Sequence, residues 1–213
     1  MIEVVTPDAA FRYRDKIQAM HGLRHRVFKE RLHWDVCSRD GLERDVFDLF
    51  QPIYLLASDN RGSVAGTWRL LPTTGPYMLR DVFPALLDNQ PPPHDPAIWE
   101  TSRFAVEATP DSAEGLGAVS RVTSELFCGL IEFCLLFGIR EIITVYDVRV
   151  ARLLPRIGCR PKWQSTKHRI GETLTFAGRF DIAPDILAAV QAASGIANSV
   201  IHADILSEQR DAA

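Results

Sequence analysis

The sequence predicts an α/β fold in which a mixed sheet is flanked by helices in three layers, α/β/α. Three observations carry this. Segments with helical spacing of apolar residues alternate with short apolar strands, in the order helix, strands, helix, strand, helix, strand. The 213 residues are 46% hydrophobic and 24% charged, enough for one sizeable core and hence a single domain over residues 1–213. No internal repeat divides the chain, and the proline-rich run from Asn89 to Pro96 has no self-sufficient core on either flank.

Taken in order, Ile17, Met20, Leu23, Val27 and Leu32 recur near the 3.6-residue period, so 11–33 reads as an amphipathic helix. Residues 35–50 are polar and acidic and read as a loop. Residues 53–57 and 63–71 read as strands, with Asp59, Asn60 and Gly62 forming a hairpin turn. A short helix is expected over 79–87 and a strand over 98–106. A polar stretch with Gly115 and Gly117 follows. Val122, Leu126, Leu130, Phe133 and Phe137 share one broad face, which makes 119–137 the strongest helix, with Gly138 as its C-terminal cap. Then come a buried strand over 141–146, a short helix over 150–156 ending near Gly158, a strand over 174–180, and a helix from about Pro184. The last residues are expected to fray.

Composition excludes several function classes. A formal net charge of -3 argues against nucleic acid as a partner. Cys37, Cys128, Cys134 and Cys159 form no CxxC pair, so neither a zinc site nor a redox motif is expected. No uncharged apolar run approaches the ~20 residues of a membrane span, and no basic segment followed by an apolar run opens the chain. A soluble, cytoplasmic protein without membrane insertion is expected.

Charged residues in apolar settings mark the candidate site. Arg24 lies four residues after Met20 and four before Phe28, on the apolar side of its helix. On spacing alone it reads as an arginine snorkelling at the stripe's edge. Glu43, Asp45 and Asp48 crowd a short acidic run beside Phe47 and Phe50, suited either to a cation or to a solvated loop. The strand 63–71 has apolar residues on both faces, so Arg69 within it needs a carboxylate partner. Glu100 and Arg103 lie in another apolar strand, on opposite faces if that strand is regular. A β-bulge between them would bring both to one side.

These residues fall in a recognisable order. Leu23-Arg24, Val27-Phe28, Trp34, then Glu43, Asp45 and Asp48 are followed by Gly66-Thr67-Trp68-Arg69-Leu70-Leu71-Pro72. Asp81-Val82-Phe83-Pro84 and Trp99-Glu100, Ser102-Arg103-Phe104 complete the series. The pattern resembles the acyl-homoserine-lactone synthases (autoinducer synthases) over about residues 20–106. The C-terminal half resembles them only in its helix–strand–helix layout.

The resemblance implies a GNAT-like twisted sheet with a V-shaped cleft. It also implies an acyltransferase in quorum sensing. The amine of S-adenosylmethionine attacks an acyl thioester carried by acyl carrier protein or coenzyme A, and lactonisation then releases methylthioadenosine. S-adenosylmethionine is a substrate, so no cofactor and no metal are expected. Arg24, Phe28, Trp34, Asp45, Asp48, Phe83 and Arg103 would bind it. Asp45 and Asp48 would take its cationic parts, Arg24 an anionic part, and Phe28 and Trp34 would pack on it. Glu43 or Glu100 would be the base, with Arg69 and Arg103 fixing the carboxylates. Ser102, Leu126, Leu130, Ile143, Thr144 and Phe176 would line an acyl pocket between the sheet and the 119–137 helix. Thr144 stands where a threonine is associated with 3-oxo chains in this family. Arg149, Arg152, Arg156, Arg160 and Lys162 would dock an acidic carrier protein, and the first three share a face at helical spacing. Arg69→Ala or Glu100→Gln is expected to end synthesis with the fold largely intact. Two alternatives stand beside this reading: a general N-acyltransferase using acyl-coenzyme A, and an inactive ligand-binding protein.

Overall fold

In a computed structural model, residues 1–108 and 119–202 are described. The stretch with Gly115 and Gly117, and the chain end expected to fray, lie outside them. Among the described residues ten strands form: β1 (Ile2–Val5), β2 (Ser38–Arg39), β3 (Leu42–Glu43), β4 (Ile53–Ser58), β5 (Val64–Pro72), β6 (Ile98–Val106), β7 (Glu141–Asp147), β8 (Trp163–Gln164), β9 (His168–Ile170) and β10 (Thr173–Asp181). Five α-helices accompany them: α1 (Arg14–Arg24), α2 (Met78–Asp81), α3 (Arg121–Leu136), α4 (Val148–Leu153) and α5 (Pro184–Ser194).

The main sheet runs β1-β4-β5-β6-β7-β10-β8, with β9 pairing β10. Its described pairs are antiparallel except β6 with β7, so the sheet is mixed. Every residue of β5 from Val64 to Leu71 is buried, because β5 lies between β4 and β6 with helices on both faces. Trp68 and Leu70 join the core under α3 and α5, while α1 covers Leu56 and Tyr54 on the other face. That gives the expected three layers.

The one parallel pairing opens the sheet. β6 and β7 are in register from Ile98–Glu141 to Thr101–Thr144 and pair no further. Both strands continue, to Val106 and Asp147, so they splay into the V-shaped cleft.

Several elements differ from expectation for local reasons. β1 was not anticipated; its Ile2 and Val4 pack under α3 and its Val5 under α1. The first helix starts at Arg14 and widens at His25–Arg31 into π-type turns, with Leu32 N donating to Val27 O at 3.0 Å. The acidic loop folds into the β2–β3 hairpin and a 3₁₀ turn, Val46–Leu49. The 79–87 helix splits into α2 and a 3₁₀ turn, Pro84–Leu87, because Pro84 starts a new turn. α4 begins earlier than expected because Asp147 accepts from Arg149 N and Val150 N. α3 ends as foreseen, with Gly138 at φ 67°.

Candidate active site

The site gathers on the α1 face beside the V. The wide turns after Arg24 end where His33 reverses the chain at φ 55°. Trp34 N then donates to Phe28 O at 2.8 Å, and the two rings stack 5.2 Å apart at 4°. In the acidic run, Asp45 caps the 3₁₀ turn through Phe47 N at 2.9 Å, and Asp48 reaches back to Asp45 N at 2.9 Å. This capping box fixes both carboxylates before any long-range pairing. The anticipated bulge is present: Arg69 faces Ser102 and Thr67 faces Ala105, leaving one extra residue on β6. Arg103 adopts φ 59° there, which turns its side chain to the face that holds Glu100 and Ser102.

Three guanidiniums and three carboxylates interlock. Arg24 Nε donates to Glu43 Oε2 at 2.5 Å, and its Nη1 and Nη2 grip Asp48 at 2.8 and 3.0 Å. Arg69 Nη1 reaches Asp45 Oδ1 at 2.5 Å and Asp48 Oδ1 at 2.9 Å, while its Nε donates to Ser102 Oγ at 3.1 Å. Arg103 Nε donates to Glu43 Oε1 at 3.0 Å and its Nη2 pairs Asp45 Oδ2 at 2.6 Å. Arg24, Glu43 and Arg69 have no exposed side-chain surface; Asp45 and Arg103 keep 14% and 13%. The cluster is charge-balanced and meets solvent chiefly through those two residues. Arg24 is therefore no snorkelling arginine.

Burial works against every charge here, and pairing decides the outcome. It opposes Arg24, but Asp48 and Glu43 outweigh it and hold the guanidinium above the ordinary arginine value. Asp48 falls well below the carboxylate range because Arg24 and Arg69 overcome its burial. Asp45 falls too, against burial, through Arg69 and Arg103. Arg103 is lowered, burial prevailing over Glu43 and Asp45. Glu100 differs: burial pushes it up to about 7 although Leu79 N and Met78 N donate to it at 2.6 and 2.8 Å. It is a carboxyl poised near neutrality, facing Arg69 and Arg103.

With this geometry in view, the comparisons with known proteins are decisive. The family model described as autoinducer synthase matches residues 8–190. The chain belongs to the autoinducer synthase family. An acyl-homoserine-lactone synthase of Agrobacterium fabrum (strain C58) is 40% identical over 178 residues, 84% of each chain. The solved structure of LasI, an AHL synthase, matches with TM-score 0.77 and 33% identity, covering 90% of this chain and 94% of that one. BjaI, described as a CoA-dependent acyl-homoserine lactone synthase with SAM and isopentyl-CoA, matches with TM-score 0.81 and 29% identity, covering 95% and 92%. The fold is thus GNAT-like.

In this autoinducer synthase the remaining expected residues divide. Phe83 packs against Phe47, Leu71 and Met78 beside the cluster. Leu126, Leu130 and Phe176 share the α3-face core, and Thr144 points to the same face. Ile143 does not join them: one residue along a strand reverses the face, and Ile143 packs with Tyr77, Leu79 and Ala177 on the opposite side. Ser102 is also on that opposite side, bound to Arg69. Thr144 donates its hydroxyl to Thr101 O at 2.9 Å. Arg149, Arg152, Arg156 and Arg160 are exposed, but α4 gives way to a 3₁₀ turn at Leu154–Ile157, so Arg156 leaves the helical face of the others. Lys162 does not belong with Arg149. It pairs with Glu141 and Asp181 at the start of β7, and Arg149 follows the other end, about 20 Å away at ~3.3 Å per strand residue.

Sequence reasoning missed two supports. Tyr54 lies opposite Arg69 in the ladder and donates its hydroxyl to Asp48 Oδ1 at 2.8 Å. His21 Nδ1 lies 2.8 Å from Glu43 O, and burial lowers the imidazole pKa, so the neutral ring donates there. A tyrosine in an apolar strand and a histidine three residues before Arg24 were the available signals. Among the described residues no group of His, Cys, Asp or Glu is arranged to hold a metal ion. None of the described helices is long and apolar enough to cross a membrane.

Proposed function

We infer that this autoinducer synthase transfers an acyl group from acyl carrier protein or acyl-coenzyme A to the amine of S-adenosylmethionine. Lactonisation with release of methylthioadenosine then gives an acyl-homoserine lactone. One observation carries the reading: a buried, charge-balanced set of three arginines and three carboxylates opens through Asp45 and Arg103 beside the V.

The division of labour follows from what is already engaged. Arg24 has no exposed surface and is held by Glu43 and Asp48, so its proposed role moves from substrate contact to positioning. Arg103 is the guanidinium left to meet the methionyl carboxylate, and Asp45 faces the ammonium or sulfonium. Phe28 and Trp34 form an aromatic wall for the cation, worth roughly 0.5–2 kcal/mol. Trp34 Nε1 is buried without a partner among the described residues, as expected of a donor kept for substrate. Glu43 has both oxygens held by guanidiniums, whereas Glu100, among the described residues, accepts only from the backbone N–H groups of Met78 and Leu79 and is pushed up to about 7. Glu100 is therefore the preferred base, directly or through water. A backbone N–H at the Arg103 bulge is the proposed oxyanion donor.

The V connects the two faces. S-adenosylmethionine sits on the α1 face, the acyl chain on the α3 face, and the thioester in the opening between them. Arg149, Arg152, Arg156 and Arg160 form the proposed docking surface for an acidic donor. The reaction would take place in the cytoplasm, where both substrates are made. Mass analysis of organic extracts from cultures expressing the chain, against an empty-vector control, tests the function. An acyl-homoserine lactone present only with the protein is expected; soluble protein without one, in cells supplied with a range of acyl donors, would refute the reading.

A further inference from the structure

The β2–β3 hairpin has two residues in each strand, and a hairpin that small has little stability of its own. It nevertheless carries Glu43, whose two oxygens hold Arg24 and Arg103. Its support comes from the helix beside it. His21 and His25 are four residues apart, about one turn, so both project from one side of that helix. His21 Nδ1 lies 2.8 Å from Glu43 O, and His25 Nδ1 lies 2.6 Å from Ser38 Oγ. Ser38 and Glu43 are partners across the hairpin. Each strand thus has one histidine contact, and a single turn of helix supplies both.

The acceptors fix where the hydrogens of this link lie. Ser38 Oγ is 3.2 Å from Leu42 O. A carbonyl only accepts, so the hydroxyl hydrogen of Ser38 goes to Leu42 and closes the hairpin. Ser38 Oγ then accepts from His25, so Nδ1 of that ring carries a hydrogen. On the other side of the ring, Nε2 lies 3.1 Å from Glu30 Oε1, and a carboxylate also only accepts. A hydrogen on each ring nitrogen makes both bonds at once. The two bonds are unequal. Glu30 is 60% exposed, so solvent screens that pair, whereas the Ser38 contact is shorter and partly buried. The Ser38 bond is the one that holds the hairpin.

We propose that His25 is a positioning residue: through Ser38 it fixes the β2–β3 hairpin against the helix, and so sets the Glu43 carboxylate between Arg24 and Arg103. This rests on the synthase reading above, in which Arg103 meets the methionyl carboxylate of S-adenosylmethionine. Glu43 and Asp45 are the carboxylates that anchor Arg103. A hairpin released on its Ser38 side lets Glu43 drift, and Asp45 alone then aims Arg103 at the substrate. His21 still holds the Glu43 backbone, so the loss is partial. It falls on S-adenosylmethionine and spares the acyl thioester, which enters through the V.

The test measures KM for S-adenosylmethionine and for the acyl thioester, reading methylthioadenosine release, in purified wild type, His25→Ala, Ser38→Ala, the double variant and His25→Asn. His25→Ala and Ser38→Ala should each raise KM for S-adenosylmethionine about three- to tenfold, the effect one hydrogen bond commonly has, with KM for the thioester unchanged. The double variant should be no worse than either single one, because both cut the same link. His25→Asn places an amide donor near the position of Nδ1 and should restore most of the loss. Nitrogen-15 NMR of the histidine rings, assigned by the signal that His25→Asn removes, should show Nδ1 of His25 protonated. An unchanged KM for S-adenosylmethionine in His25→Ala overturns the proposal. So do single effects that multiply in the double variant, an equal rise in KM for both substrates, or an Nδ1 without its hydrogen. A wild type that consumes no S-adenosylmethionine with any thioester overturns the synthase reading, and this proposal with it; with an active wild type, those results overturn the proposal alone.

Discussion

Replacing Arg69 with methionine removes the positive charge that Asp45 and Asp48 share. The parent cluster is balanced, with Arg24, Arg69 and Arg103 against Glu43, Asp45 and Asp48. Arg69→Met leaves a net negative charge in a setting where neither Arg69 nor Glu43 meets solvent. Breaking a buried pair by removing one partner typically costs about 3–5 kcal/mol. At ~2–4 °C per kcal/mol for a chain of this size, Tm should fall by about 6–20 °C. The expectation that an Arg69 truncation spares the fold is therefore revised: activity and stability fall together. Asp45→Asn in the same chain restores the balance, so the double variant should recover part of the loss, with a coupling of roughly 0.5–3 kcal/mol. Thermal and urea unfolding followed by circular dichroism on the four proteins of the cycle measure it. A loss under about 1 kcal/mol for Arg69→Met, or strictly additive single effects, would refute the buried-network account.

Three further outcomes are expected. Turnover should rise with pH with a midpoint near the value of about 7 to which burial pushes Glu100, and Glu100→Gln should cost about 10²–10⁴-fold at every pH. Because that carboxyl titrates higher folded than unfolded, its stabilising effect is present below its ordinary value and lost as pH rises toward 7; Tm measured from acid to neutral pH should lose this slope in Glu100→Gln. Trp34→Phe should raise KM for S-adenosylmethionine several-fold without lowering Tm, since it removes a buried donor with no partner among the described residues; an unchanged KM would place that wall elsewhere. Gly129→Ala would put a Cβ 2.8 Å from Ile2 Cγ1 on the neighbouring strand and should destabilise by about 1–3 kcal/mol; urea unfolding showing no loss would mean β1 shifts freely.

Much of this was legible because charges in apolar segments stand out. Arg69 in a strand apolar on both faces demanded a carboxylate, and the structure supplies Asp45 and Asp48. The period-two conflict between Glu100 and Arg103 pointed to a bulge, and Arg103 at φ 59° provides it. The illegible parts depend on long-range pairing. Nothing local distinguishes Ile143 from Thr144 as core or pocket until the register fixes which face each takes. In the basic patch, sequence proximity hid that Lys162 is engaged by Glu141 and Asp181, a strand's length from Arg149. The π-type turns of His25–Arg31 leave no mark in the apolar spacing, since Val27 and Leu32 suit either helix. Nor does sequence tell which hydroxyl of two neighbouring threonines is committed; that needs the hydrogen bond from Thr144 to Thr101 O.

The most direct test of the central claim is mass spectrometry of the product formed by purified protein from S-adenosylmethionine labelled with ¹³C in its methionyl carbons, together with an acyl-coenzyme A or acyl-carrier thioester. An acyl-homoserine lactone carrying the label in its ring, with methylthioadenosine in equal amount, is the predicted result. Acyl transfer to another amine, with S-adenosylmethionine unconsumed, would contradict it.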